Sequence, residues 1–163
     1  MAQRRVKSHD ADTMAVTATG RGITPGQQAE ARVVLTRLFN QGYRKLHHGY
    51  CVGGDAQLAR IAKDVGFCLI AHPGYPPEHP EETKYRAFTD FNDEVLESRP
   101  FILRDKDMVD KAAFLLAAPY QDYMVTRSGT WTTVRYAQNE GVAVGFVYSG
   151  RNYPASTLEK RIK

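Results

Sequence analysis

The strongest constraint on the fold of this chain is the alternation of short β-prone runs with longer segments of helical periodicity. Five such runs occur, at residues 14–19, 43–48, 67–71, 112–118 and 142–148. Short runs separated by helices of about ten residues or more are typical of a parallel sheet covered by helices on both faces. Because crossovers between parallel strands are right-handed, we expect a doubly wound sheet of about five strands.

Start and stop signals place the helices between these runs. Thr24 and Pro25 are typical of a helix N-cap and first helical position. Glycines and other turn residues mark where helices begin and end. The expected helices run from Pro25 to a stop at Asn40–Gly42, from an opening at Gly53–Asp55 to Gly66, around Phe101–Val109, and over Thr130–Asn139 with Gly141 as its C-cap.

The remaining segments suggest one domain with two tails. Residues 1–12 are polar without periodicity, which predicts a flexible N-terminal tail. Residues 13–150 form a single predicted domain, and residues 151–163 form a basic C-terminal tail. Four prolines interrupt residues 72–98, and a long irregular excursion of this kind is often a functional lid.

The charge of the chain is basic overall but unevenly distributed. The net charge is +4, yet residues 51–150 contain fourteen acidic and only ten basic residues. A domain dedicated to DNA binding usually carries a basic stripe through its folded part. A small anionic ligand needs less positive surface, so we favour such a ligand and keep nucleic acid as a second interpretation.

Composition also bears on the cellular location. No apolar run approaches the length of about 18–20 residues that a membrane helix needs, so no membrane partner is expected. The N-terminus has no apolar segment typical of a secretory signal, and the chain has only two cysteines. We therefore expect a reducing, cytoplasmic location.

Three loops follow the ends of predicted strands and carry residues suited to an anion. Parallel strands bring such loops to one edge of a sheet, where ligands bind. Glycines, hydroxyls and helix N-termini offer donors to a phosphate, arginine adds a bidentate contact, and an aspartate can accept from ribose hydroxyls. The candidate residues in these loops are Gly20, Arg21, Gly53, Gly54, Asp55, Ser128, Gly129 and Thr130.

Each of these loops also has a simpler structural interpretation. The Gly20–Gly22 segment could be a tight turn with a solvated arginine, and Asp55 and Ser128 could serve only as helix caps. We favour the binding interpretation, because all three loops are expected at the same edge of the sheet. No pattern typical of an ordinary dinucleotide or nucleoside-triphosphate site occurs, so no cofactor is predicted. His47, His48, Cys51 and His72 match no zinc spacing, so no metal is predicted.

In their order, four motifs resemble the SLOG superfamily, a Rossmann-like group named for the Smf/DprA DNA-processing proteins and the LOG phosphoribohydrolases. They are Thr19-Gly-Arg, His48-Gly-Tyr-Cys-Val-Gly-Gly-Asp55-Ala, Leu103-Arg104-Asp105, and Ser128-Gly-Thr-Trp-Thr-Thr-Val. The resemblance runs from about Ala15 to Val147. It implies nucleotide or nucleotide-derived ligands at the sheet edge, with phosphate on the Gly129-Thr130 loop and Arg104 nearby.

The chain departs from this family pattern at two positions. Asp105 stands where the family has asparagine, and Thr133 stands where LOG enzymes have glutamate. The first function expected is therefore binding of a nucleotide or ADP-ribose-like ligand, as in signalling or phage defence. DprA-like single-stranded DNA binding is the alternative, and LOG-like hydrolysis is disfavoured by Thr133. The resemblance and the broad apolar face of residues 29–39 also predict a homodimer.

Overall fold

The computed structural model describes residues 10–152 of the chain. The predicted runs form five strands, and three further strands of two residues each lie between residues 74 and 100. The strands are β1 (Thr13–Ala18), β2 (Lys45–His48), β3 (Cys68–Ala71), β4 (Gly74–Tyr75), β5 (Glu94–Val95), β6 (Arg99–Pro100), β7 (Phe114–Ala118) and β8 (Ala143–Phe146). The helices are α1 (Pro25–Asn40), α2 (Gly54–Val65), α3 (Phe101–Lys111) and α4 (Gly129–Asn139).

Six of these strands form one parallel sheet in the order β5-β3-β2-β1-β7-β8. This agrees with the predicted doubly wound sheet of about five strands. The additional strand, β5, pairs Glu94 and Val95 with Ile70 and Ala71 at the edge of the sheet. It is too short to produce an apolar run, and it lies inside the excursion at residues 72–98. The strands β4 and β6 pair separately as a second, small sheet.

Helices cover both faces of the main sheet, which confirms the doubly wound α/β architecture. Met14, Val16 and Leu116 point into an apolar cluster that includes residues of α1 and α2. Ala15, Leu115 and Ala117 alternate with them and face a second cluster with residues of α3 and α4. This alternation follows from the two-residue period of a strand, which sends neighbouring side chains to opposite faces.

The helix starts follow local capping chemistry. The Thr24 side chain accepts a hydrogen bond from the Gln27 backbone N–H, and the Gln27 side chain accepts one from the Thr24 N–H. This is a capping box, with Pro25 in the first turn. Ser128 caps α4 by accepting from the Trp131 N–H, so α4 begins at Gly129, one residue earlier than predicted. Helix α3 continues two residues beyond Val109.

The sheet order places a crevice above its centre. From β1 the chain builds outward through β2 and β3 on one side, and through β7 and β8 on the other. The loops that leave β1 and β7 therefore diverge between two neighbouring strands. In open α/β sheets, this reversal point at the carboxyl ends of the strands is where ligands bind.

The two predicted tails lie mostly outside the described residues. At the N-terminal side, the Asp12 carbonyl accepts hydrogen bonds from the backbone N–H groups of Arg44 and Lys45. At the C-terminal side, the Arg151 carbonyl accepts from the Asp122 N–H. None of the described helices is long and apolar enough to cross a membrane.

Candidate functional site

A cavity of about 830 Å³ opens at the carboxyl ends of β1 and β7. The loops after β1, β2 and β7 contribute to it, together with the start of α3 and residues of the 72–98 excursion. Seven of the nine candidate residues line its wall: Gly20, Arg21, Asp55, Arg104, Ser128, Gly129 and Thr130. The structure thus brings together residues that lie up to about a hundred positions apart in the sequence.

Gly53 and Gly54 do not line this cavity, and the backbone packs closely around them instead. A Cβ at Gly53 would lie 2.3 Å from the Gly20 carbonyl oxygen, and Gly53 has a φ of +88°. A Cβ at Gly54 would lie 2.5 Å from the Ala18 Cβ. The two glycines allow the start of α2 to approach the loop after β1, which positions that loop at the edge of the cavity.

The start of α4 forms one wall of the cavity. A helix begins with backbone N–H groups that have no partner within the helix. The Ser128 side chain satisfies the N–H of Trp131 at 3.2 Å, which leaves those of Gly129 and Thr130 without a partner in the helix. A Cβ built at Gly129 meets nothing within 4 Å, so the backbone is open there. The positive end of the helix dipole and the exposed Arg127 beside it favour an anion.

Arg104 is buried, and its hydrogen bonds connect several elements around the site. Its Nη1 donates to the carbonyl oxygens of Gly49, at 2.5 Å, and His72, at 3.1 Å. Its Nε donates to the Asp105 carboxylate at 2.7 Å. Arg104 therefore connects α3 to the loops that follow β2 and β3, and it lines the cavity with a guanidinium already held by protein acceptors.

Asp105 is one of the two positions at which the chain departs from the pattern of the family that it resembles. Burial raises the pKa of its carboxyl group, and the adjacent Arg104 acts in the opposite direction. Because the carboxylate accepts from Arg104, its charge is offset inside the protein. The substitution of aspartate for asparagine therefore adds less negative charge to the cavity than the sequence suggests.

Asp55 is the most unusual group of the site. It is 6% exposed, and its Oδ1 has no hydrogen-bond partner within the described part of the chain. Burial raises the pKa of Asp55 to about 7, although the nearby Arg104 favours the charged form. Burying a polar atom without a hydrogen-bond partner costs folding free energy. We therefore expect that a ligand pairs with this oxygen or that the carboxyl group is protonated. Gly49 makes room for this carboxyl, since a Cβ there would lie 2.5 Å from Asp55 Oδ2.

The cavity also includes residues that the sequence patterns did not single out. Tyr120 and Gln121 line it from the loop after β7, and Tyr85 and Phe101 contribute aromatic surface. The Arg21 guanidinium lies over the Tyr120 ring at 4.5 Å from its centroid. In the sequence, Tyr120 directly follows Pro119, which ends the predicted strand. This position is the only feature of the sequence that could have indicated Tyr120 as a residue of the site.

Neither Trp131 nor Thr133 is among the residues that line the cavity. Trp131 is 6% exposed and packs against Phe146 with ring centroids 5.4 Å apart. Its Nε1 donates to the Gln121 carbonyl at 3.0 Å, so it supports the loop that lines the cavity. The Thr133 hydroxyl donates to the Gly129 carbonyl at 3.0 Å and is buried within the turn.

The histidines near the site form a buried, neutral group. His47 Nδ1 and His72 Nε2 are 2.6 Å apart, and His48 Nε2 lies 2.6 Å from Asn92 Oδ1. Burial lowers the pKa of His47 and His48 to about 4 and that of His72 to about 3. Within residues 10–152, no group of three or more His, Cys, Asp or Glu side chains could hold a metal ion.

Comparison with known proteins supports the fold at low sequence identity. No protein-family model and no curated protein matches the chain. Among solved structures it is similar to a molybdenum cofactor binding protein from Rippkaea orientalis, with a TM-score of 0.64 and 16% identity over 95% of this chain and 83% of that one. The Moco carrier protein from Chlamydomonas reinhardtii gives a TM-score of 0.57 and 17% identity, with 93% and 83% coverage.

A DNA-processing protein is also among the similar structures. DprA from Streptococcus pneumoniae gives a TM-score of 0.61 and 22% identity over 82% of this chain, which spans about half, 49%, of that chain. These structures have SLOG-type folds. The chain therefore has a Rossmann-like fold of the SLOG type, as its motifs predicted.

Proposed function

We propose that this protein binds a nucleotide or nucleotide-derived ligand in the cavity above β1 and β7, with a phosphate at the start of α4. The observation that carries this proposal is the convergence of an open helix N-terminus and a buried carboxyl oxygen, Asp55 Oδ1, that has no hydrogen-bond partner in the described part of the chain, in one cavity of about 830 Å³. The helix end is suited to phosphate, and the carboxyl of Asp55 is suited to a hydroxyl or amino group of the rest of the ligand.

The charges around the cavity support an anionic ligand. Arg21 and Arg127 line it and are exposed, while the charge of Arg104 is largely offset by Asp105. Asp55 is partly neutral near pH 7 because burial raises its pKa to about 7. The carboxylates that face the cavity therefore repel a phosphate less than their number suggests.

Charge reversal at Gly129 tests this proposal. The position has open space around a Cβ, so we expect Gly129→Asp and the matched control Gly129→Asn to fold alike. Aspartate places a negative charge at the phosphate site, whereas asparagine has the same shape without the charge. We expect calorimetry with AMP and ADP to show about tenfold weaker binding or more for the aspartate variant than for the asparagine variant. Equal affinities in the two variants, or no binding to the wild type, would contradict the proposal.

Single-stranded DNA is the second candidate ligand. Exposed arginines at the cavity and the structural similarity to DprA favour it. DNA binding releases counterions, so its affinity would fall steeply with salt. Fluorescence anisotropy with an oligonucleotide at several salt concentrations distinguishes the two interpretations, because the affinity for a small nucleotide depends less on salt than the affinity for DNA.

We do not expect hydrolysis of the N-glycosidic bond. Such a reaction develops positive charge that a carboxylate stabilises. Thr133 stands at the LOG glutamate position, and its hydroxyl is bonded to the Gly129 carbonyl. Chromatography should detect no free adenine from AMP over hours of incubation. Turnover of about 1 s⁻¹ or more would show that another carboxyl group acts, and Asp55→Asn would be the first variant to examine.

We also propose that the protein functions in the cytoplasm. Both of its cysteines are free, Cys51 half-buried and Cys68 exposed. An exposed free thiol is typical of a reducing compartment.

A further inference from the structure

Two arginine side chains share one tyrosine ring beside the cavity. The Cζ atom of Arg21 lies 4.5 Å from the centroid of the Tyr120 ring, and that of Arg151 lies 4.0 Å from it. Arg21 comes from the loop after β1, whereas Arg151 follows β8, so residues distant in sequence form this cluster. Neither guanidinium forms an ion pair with a carboxylate anywhere in residues 10–152.

The chain holds Arg151 in this position through Asp122. The Asp122 carboxylate accepts hydrogen bonds from the backbone N–H groups of Ser149 and Gly150, both at 2.7 Å. The Asp122 N–H donates to the Arg151 carbonyl at 2.8 Å, and Arg151 Nη1 donates to the Tyr120 carbonyl at 3.2 Å. The segment after β8 is therefore fixed against the loop after β7, and the carboxylate on that loop binds backbone groups.

The electrostatics of this cluster point to an anion. Two guanidinium groups against one ring lie within the Debye length of about 10 Å at 0.1 M salt, so they repel each other. Stacking on an aromatic ring holds a guanidinium and leaves N–H groups at its edge for a planar or tetrahedral anion. Arg151 uses Nη1 for the Tyr120 carbonyl, and its Nε and Nη2 have no hydrogen-bond partner within residues 10–152. A phosphate that accepts from both guanidinium groups would replace their repulsion with charge-assisted hydrogen bonds.

We infer that Arg21, Tyr120 and Arg151 form a second phosphate site, and that the cavity prefers nucleotides with two phosphate groups over nucleoside monophosphates. Arg21 and Tyr120 line the same cavity as the start of α4. Arg151 does not line it, but its contact with the Tyr120 ring brings it next to this wall of the cavity, so we expect one ligand to reach both sites. The inference rests on the proposed function, because the first phosphate binds at Ser128–Thr130. The inference assigns nucleoside diphosphates and pyrophosphate-linked nucleotides as the class of ligand.

Calorimetry with AMP and ADP, in magnesium-free buffer, tests this inference. We expect the wild type to bind ADP about tenfold more tightly than AMP or better. In the double variant Arg21→Gln/Arg151→Gln, we expect ADP affinity to fall about tenfold and AMP affinity to fall less than about threefold. Tyr120→Leu keeps both charges but removes their common ring, and it should also weaken ADP more than AMP.

A matched control removes a charge from the opposite end of the molecule. Arg37 is exposed in the last turn of α1, and Arg37→Gln should leave the ADP-to-AMP ratio unchanged. Equal wild-type affinities for the two nucleotides, or equal losses in the double variant, would overturn the second site and leave the proposed function intact. If the wild type binds neither nucleotide, both proposals fail, and binding of an oligonucleotide alone would assign the arginines to DNA.

Discussion

At the scale of single residues, the site contains a buried carboxyl group that is partly protonated near pH 7. Asp55 is 6% exposed, and burial raises its pKa from 3.8 to about 7. Between these two values the folded protein keeps a proton that the unfolded chain has lost. The contribution of Asp55 to stability therefore falls as the pH rises from about 4 to about 7, and the cost remains at higher pH.

This linkage predicts the behaviour of Asp55→Asn. Asparagine is uncharged at every pH, so the variant should unfold less readily than the wild type at pH 8, by an amount on the order of a few kcal/mol. At pH 4.5 Asp55 is neutral in the folded protein, although it is mostly ionised in the unfolded chain, so the difference should be much smaller than at pH 8. Urea unfolding at the two pH values measures it. A difference independent of pH would show that Asp55 is charged in the folded protein.

At the scale of elements, a buried glutamine joins α1 to the ends of two strands. Gln27 is 0% exposed, and its Nε2 donates to the carbonyl oxygens of Pro119 and Val147, each at 2.9 Å. Its Oε1 accepts from the Thr24 N–H at 3.0 Å. One side chain therefore caps the helix and fixes the position of the loop that carries Tyr120.

Replacement of this glutamine should be costly. Gln27→Leu has similar size but leaves several buried backbone groups without partners, so we expect a loss of about 3 kcal/mol in the free energy of unfolding. Gln28→Leu is the control, because the side chain of Gln28 makes one long hydrogen bond of 3.4 Å, to the Ile23 carbonyl. Chemical denaturation compares the two variants. Similar losses in both would mean that Gln27 acts only through helix propensity.

The elements also show how far the sequence could predict this protein. Strands β1, β7 and β8 came from apolar runs and α1 from its cap, because these signals are local. The strand β5 could not be predicted, since two residues produce no periodicity and its pairing with β3 is set by tertiary contacts. For the same reason, the motifs predicted Arg21 and Ser128 but not Tyr120, whose place beside Arg151 depends on β8 returning next to β7.

At the scale of the whole molecule, the homodimer stays a prediction, and the exposed Val33 on α1 offers a place to test it. The alternative explanation of the apolar residues of α1 is burial under the 72–98 excursion, but Val33 is 57% exposed. The buried side of the helix is formed by other residues, Ala31, Leu35 and Leu38 among them. We therefore propose that α1 packs against a second copy of the chain.

Light scattering tests this assembly. We expect a mass near twice 18.3 kDa at high concentration, and Val33→Lys should shift the protein toward the monomer without unfolding it. Thr36→Lys, at another exposed position of α1, is the control for added charge. A wild-type mass of one chain at every concentration would refute the dimer.

The central claim is that phosphate binds at the start of α4 in the cavity above β1 and β7. A crystal structure of the protein with ADP tests it most directly. The account predicts one phosphate within hydrogen-bond distance of the Gly129 and Thr130 N–H groups, and the other between Arg21 and Arg151. ADP bound outside this cavity, or an empty cavity at saturating ADP, would contradict the account.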